Sequence, residues 1–133
     1  MDRHTRSQRS FNMSRVKSKN TLPERLLFKE LKSKGLIFKR HYDILGKPDI
    51  ALVKEKVVVF VDGEFWHGRN FKEWKGSLSE FWFKKISSNI ERDRKNRKTL
   101  RLKGWKVVRL WDKPILKDLK RETNKIIRCL HNN

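Results

Sequence analysis

Apolar residues follow two alternating rhythms along the chain, and that alternation sets the expected fold. Thr21-Leu22-Pro23-Glu24 has capping-box spacing with a proline beside the helix start, and Leu26, Leu27 and Leu31 follow at helical intervals. This predicts a helix from about Leu22 to Lys34, ended by Gly35. Leu36 to Tyr42 predicts a first strand, Leu45-Gly46-Lys47-Pro48 a turn, and Asp49 to Val53 a second strand that begins with an acid. Lys54-Glu55-Lys56 closes a hairpin into a third strand, Val57-Val58-Val59-Phe60-Val61, apolar at every position and so covered on both faces. The hairpin puts Asp49, Val61 and Asp62 at one end.

Beyond this strand the helical rhythm returns. Arg69 to Gly76 reads as a polar loop holding Phe71 and Trp74. Ser77 or Ser79 caps a long helix from about Glu80 to Lys103 with Gly104 behind it, and Phe81, Trp82, Ile86 and Ile90 are predicted to face the sheet. Trp105 to Trp111 forms a fourth strand, with Trp105, Val107 and Leu110 in the core. Asp112-Lys113-Pro114 breaks it, and one last amphipathic helix carries Leu116, Leu119, Ile126, Ile127 and Leu130. A strand that returns after a helix can lie parallel to the third strand. The fold class is therefore α/β, a mixed β-sheet flanked by helices.

Length and charge narrow the picture. With 133 residues there is room for one core and not for two, so residues 21–133 form a single domain behind an arm at residues 1–20. The formal net charge is +20, from 35 Lys and Arg against 15 Asp and Glu. An excess of that size points to a polyanionic partner, with nucleic acid first and an anionic membrane surface as the weaker competitor. The arm holds Arg3, Arg6, Arg9, Arg15, Lys17 and Lys19 against Asp2 alone, which suits counterion release on DNA. It is polar throughout, so no signal peptide is expected. One cysteine, Cys129, leaves no internal disulfide or Cys-rich zinc site and fits a reducing, intracellular compartment.

The chemistry gathers where the third strand ends, because Asp62-Gly63-Glu64-Phe65-Trp66-His67 places two acids, two aromatics and a histidine around a glycine. A divalent cation takes hard oxygen ligands, and a nearby histidine can take a proton near neutral pH. Asp49, the Val61 carbonyl, Asp62 or Glu64, and His67 make a candidate hydrolytic site of that kind.

Arg9-Ser10-Phe11-Asn12-Met13-Ser14-Arg15, Thr21-Leu22-Pro23-Glu24, Gly46-Lys47-Pro48-Asp49, Phe60 to Gly68, Glu80-Phe81-Trp82, Asn89-Ile90-Glu91-Arg92-Asp93 and Gly104-Trp105-Lys106-Val107 occur in that order. Together they resemble the very-short-patch mismatch repair endonucleases, a bacterial branch of the PD-(D/E)XK nuclease superfamily, over nearly the whole chain. The resemblance implies a restriction-endonuclease-like fold and Mg²⁺-dependent nicking of duplex DNA 5′ to the thymine of a thymine-guanine mismatch. It also implies a monomer in the bacterial, nucleoid-associated cytoplasm, with other mismatch-repair proteins as candidate partners. Asp49 and the Val61 carbonyl match the metal ligands, His67 the catalytic histidine, and Glu24 the glutamate that orders water. Phe65, Trp66 and Trp82 match aromatics that wedge beside the mismatch, where an unstacked step is cheap to open.

Several residues carry two readings. Glu24 also fits the third position of a capping box, and Trp82 suits the core as well as a wedge. Asp93 either neutralises Arg92, Arg94 and Lys95 or orients His67; Lys85, Asn89 and Arg92 on the same helix can reach phosphates or stay solvated. The best-known members hold a structural zinc near this loop, but Glu64, Arg69 and Lys113 stand where its ligands would fall. No structural zinc is therefore expected, and Glu64 is expected to pair with Arg69 or Lys113. Asp62 sits where some members have a second histidine; it either binds metal or shapes the site. The alternatives are a restriction or homing-type nuclease of the same superfamily, cutting both strands, and a non-catalytic DNA-binding protein on the same fold.

Overall fold

The computed structural model describes residues 21–64 and 68–131. The arm at residues 1–20 and the candidate residues Phe65, Trp66 and His67 lie outside them. Helix α1, Leu22–Ser33, has Pro23 in its first turn, where a missing N–H costs nothing, and stops before Gly35, whose φ of 76° favours glycine. Strands β1 (Lys39–Arg40), β2 (Ile50–Leu52) and β3 (Val57–Asp62) follow. Next, Phe71–Trp74 forms the one-turn helix α2. The long helix α3, Glu80–Leu102, leads to β4, Lys106–Trp111, and the chain ends in α4, Asp112–Lys117, and α5, Leu119–His131.

The sheet runs β1-β2-β3-β4, antiparallel for the first two pairings and parallel between β3 and β4. Pairing aligns Ile50 with Val59 and Val61 with Leu110. Alternate residues of β3 serve the two faces, as an all-apolar strand requires. Val57 and Val59 join Leu27, Phe28 and Leu31 of α1, Ile115 of α4 and Ile126 of α5 in one core. Val58, with Ala51 and Leu100, forms a second core, against which Phe60, Trp105 and Val107 pack. The mixed sheet flanked by helices is therefore the architecture expected of the chain. No helix among the described residues is long and apolar enough to cross a membrane.

Four local expectations need correction. The first strand has regular pairing only at Lys39 and Arg40; His41 takes a left-handed φ of 49° and ends the extended run, although its N–H still donates to the Asp49 carbonyl. The segment after Gly68 is α2 followed by a 3₁₀ turn at Lys75–Ser77, not an open loop. Phe71 meets Trp74 edge-on at 5.2 Å, and the Trp74 indole donates to the Arg69 carbonyl at 2.9 Å. Phe81 does not face the sheet and is 61% exposed. The buried stripe of α3 is Trp82, Ile86, Asn89 and Leu100, and Phe81 sits about 100° around the helix from Trp82. The terminal helix is two helices, since Asp118 leaves helical geometry and its carboxylate instead accepts from the Arg121 N–H. Leu116 then lies exposed.

Gly68 shows how closely the loop after β3 approaches α3. Its φ is 69°, and a Cβ there would collide with the Cδ1 of Ile90 and stand 2.6 Å from Ile90 Cγ1. Gly35 shares the left-handed conformation but has open space around it. Gly68→Ala is therefore expected to destabilise the protein by about 1–3 kcal/mol beyond the roughly 1 kcal/mol expected for Gly35→Ala. Denaturant unfolding midpoints compare the two, and equal losses would contradict the close approach.

Candidate active site

Asp49 stands just before β2, past the last paired residue Ile50, and its side chain continues the ladder that the backbone has left. Asp49 Oδ2 accepts the Val61 N–H at 2.6 Å. In an extended strand the N–H and C=O of one residue point to the same side, so the Val61 carbonyl also faces Asp49. Glu24 comes from the first turn of α1, where the Thr21 hydroxyl donates to Glu24 Oε1 at 3.3 Å; Thr21 makes no side-chain cap to the backbone. His41 completes the cluster from the end of β1. Its Nε2 is 3.6 Å from Glu24 Oε2 and its Nδ1 is 4.0 Å from Asp49 Oδ1.

Among the described residues, Glu24, His41 and Asp49 are the group of metal-binding side chains close enough to share an ion, with ligand atoms within 4.8 Å of one another. Burial pushes the Asp49 carboxyl up from 3.8 to about 8; the hydrogen bond from Val61 opposes that, and negative charge on Glu24 and Asp62 adds to it. Two carboxylates and an imidazole converging on one buried point fit a divalent cation, whose charge would offset that crowding. Sequence reasoning passed over His41, which shows no periodicity and lies in a basic stretch, Lys39-Arg40-His41.

Asp62 belongs to a second set of charges. Arg109 Nε donates to Asp62 Oδ2 at 2.7 Å, and Arg109 Nη2 lies 3.8 Å from Asp93 Oδ2. Arg92 in turn donates to Asp93 Oδ1 at 3.0 Å. The Arg109 guanidinium stacks 4.2 Å from the centroid of the Trp111 ring. Asp93 thus lies between Arg92 and Arg109, while Arg94 and Lys95 reach Glu91 instead. Arg109 also escaped notice, although a lone charge within Val107-Val108-Arg109-Leu110 signals a buried partner.

The loop between β3 and α2 is closed at its ends. Glu64 Oε2 pairs with Arg69 Nη1 at 3.1 Å, and the Arg69 N–H donates to the Glu64 carbonyl at 3.0 Å. Arg69 is thus the partner of Glu64, and its guanidinium also lies 5.6 Å from the Trp111 ring centroid. On α3, Trp82 is buried with Phe81 edge-on at 5.0 Å, Lys85 is half-buried, and Arg92 is exposed. Asn89 is 8% exposed, on the stripe turned toward the sheet. Arg9, Asn12 and Arg15 lie outside the described residues.

An acid at the entry of one hairpin strand, held against the exit of the next within a mixed sheet flanked by helices, is the layout of restriction-endonuclease-like nucleases. The family model for DNA mismatch endonuclease Vsr matches residues 1–73. The chain is 43% identical over 122 residues to the type II nicking enzyme V.NmeDIP of Neisseria meningitidis serogroup C, covering 89% of this chain and 82% of that one. It is 35% identical over 136 residues to the type II nicking enzyme V.HpaIIP of Haemophilus parainfluenzae, covering 98% and 96%. To the DNA mismatch endonuclease Vsr of Escherichia coli K12 it is 33% identical over 114 residues, covering 84% and 73%. The chain belongs to the very-short-patch repair family of DNA endonucleases.

The raised Asp49 pKa has a consequence for the metal-free protein. Below about pH 4 Asp49 is protonated in folded and unfolded chains alike, and its burial costs little. Between about 4 and 8 the unfolded chain ionises first, so stability falls as pH rises. Asp49→Asn keeps an oxygen for the Val61 N–H and removes that loss. With EDTA present, the variant's melting temperature is expected to exceed the wild type's at pH 8 and to converge with it near pH 4. A constant difference across that range would contradict the burial argument.

Proposed function

We propose that this endonuclease cuts one strand of duplex DNA 5′ to the thymine of a thymine-guanine mismatch, with Mg²⁺ at the Asp49 site. The observation that carries the reading is the junction of Glu24, His41 and Asp49 beside the Val61 backbone at the open end of the hairpin. Asp49 and the Val61 carbonyl would hold the cation, which would supply charge neutralisation at the scissile phosphate and lower the pKa of a nearby water. Glu24 orders that water, and His67 accepts its proton while Asp93 orients the imidazole. Several relatives are named nicking enzymes, which favours one cut over two.

Phe65 and Trp66 act at the mismatch, where an aromatic plane replaces the stacking that a mispaired step gives up cheaply, while the burial of Trp82 fits its other reading as core. Arg9, Asn12 and Arg15 of the arm, with Lys85 and Arg92 of α3, serve the DNA backbone, whereas Asn89 is buried on the sheet-facing stripe and does not fit that role. The surplus of +20 supports a large electrostatic share of the affinity.

Two measurements test this. Plasmid-length duplexes with a single thymine-guanine mismatch are expected to be nicked in Mg²⁺, their fully paired counterparts spared, and Asp49→Ala to lose cleavage while retaining mismatch binding. Nicking by Asp49→Ala, or a double-strand break in paired DNA, would refute the assignment. Deleting residues 1–20 is expected to reduce affinity and flatten the dependence of log K on log salt by roughly one unit for each phosphate that the arm neutralises. An unaltered slope would remove the arm from the DNA interface.

A further inference from the structure

His41 has no assigned role in the reaction, yet the fold holds both its backbone and its ring in place. Its φ of 49° lies in the left-handed region, which costs energy for any residue bearing a side chain. Its backbone N–H donates to the Asp49 carbonyl at 2.9 Å, tying the two residues together through the main chain. Its ring meets Phe28 edge-on at 6.0 Å between centroids. Phe28 and Glu24 are four residues apart on α1 and share one helical face, so α1 both braces the imidazole and brings a carboxylate to it.

Held in this way, the ring turns its two nitrogens to different carboxylates: Nε2 to Glu24 Oε2 at 3.6 Å and Nδ1 to Asp49 Oδ1 at 4.0 Å. We infer that His41 is a nitrogen ligand of the divalent-cation site, using Nδ1 on the Asp49 side and holding Nε2–H toward Glu24. Ligands about 2.0–2.3 Å from one ion stand roughly 3–4.5 Å apart, a spacing these atoms already approach. The second nitrogen facing a carboxylate matches the outer contact that fixes the tautomer and orientation of metal-binding imidazoles. This rests on the reading of Asp49 as the cation site and adds the selectivity of that site.

An imidazole changes which ions the site prefers. Mg²⁺ takes oxygen donors and keeps its waters, whereas Co²⁺ gains from nitrogen. A side chain that served only as a counter-ion or a packing group would affect both ions alike. His41 therefore predisposes the site to bind Co²⁺ more tightly than oxygen ligands alone would.

The test is calorimetric titration of the full chain, without DNA, with Co²⁺ and with Mg²⁺, for wild type, His41→Gln and His41→Asn. Asparagine tolerates the left-handed backbone and glutamine keeps the reach, so one variant preserves each feature. Both are expected to lose about tenfold or more in Co²⁺ affinity while Mg²⁺ affinity shifts by no more than about twofold. The visible absorption of bound Co²⁺ should also shift as a nitrogen ligand is lost. Equal losses for the two ions, or none, would overturn the assignment of His41. Undiminished binding of both ions by Asp49→Ala would overturn the cation site itself, which separates the two failures.

Discussion

The bond from the Val61 N–H to Asp49 Oδ2 joins the entry of β2 to the exit of β3 after the backbone ladder has ended. It fixes the carboxylate to the stiffest part of the molecule, because β3 is paired on both sides and covered on both faces. Asp49 Oδ1 then faces His41, and Glu24 approaches from α1. Anchoring a carboxylate in this way incurs desolvation and repulsion, which raise its pKa. A divalent cation held there, as proposed, would offset both.

The same end of the sheet solves a second electrostatic problem by pairing. Asp62 and Asp93 are both largely withdrawn from water, and Arg109 reaches both from β4. Parallel pairing of Asp62 with Trp111 puts Arg109 two residues back on the neighbouring strand, within reach across the ladder. Removing one member of such a set leaves uncompensated buried charge, which costs far more than the pairing gains. The buried stripe of α3 accordingly changes character along its length, from Trp82 and Ile86 to Asn89 and then Leu100. Asn89 is the polar position on that buried stripe.

Much of the site was legible because its chemistry is local. Asp49 follows a proline turn and opens a strand, and β3 runs from apolar residues into acids, so their proximity followed from a short hairpin. Glu24 came from the family resemblance and its capping spacing. His41 and Arg109 were invisible for the opposite reason. Their partners lie 17 and 47 positions away, at Glu24 and Asp62, and no periodicity links such pairs. Phe81 misled because an aromatic run, Phe81-Trp82-Phe83, has no phase of its own; packing of Ile86 and Leu100 against the sheet set it.

Hydrophobic rhythm, glycine stops and hairpin turns determined the elements, their order, the mixed sheet and the buried nature of β3, since each depends on neighbours a few residues apart. Tertiary structure alone decided the rest. Closing β1 at a left-handed His41, breaking the last helix at Asp118, and choosing Arg69 over Lys113 as the partner of Glu64 depend on which surfaces meet. The cluster of Glu24, His41 and Asp49 is the clearest case: α1, the end of β1 and the entry of β2 each contribute one side chain, and only the packed fold brings three such distant positions to one point.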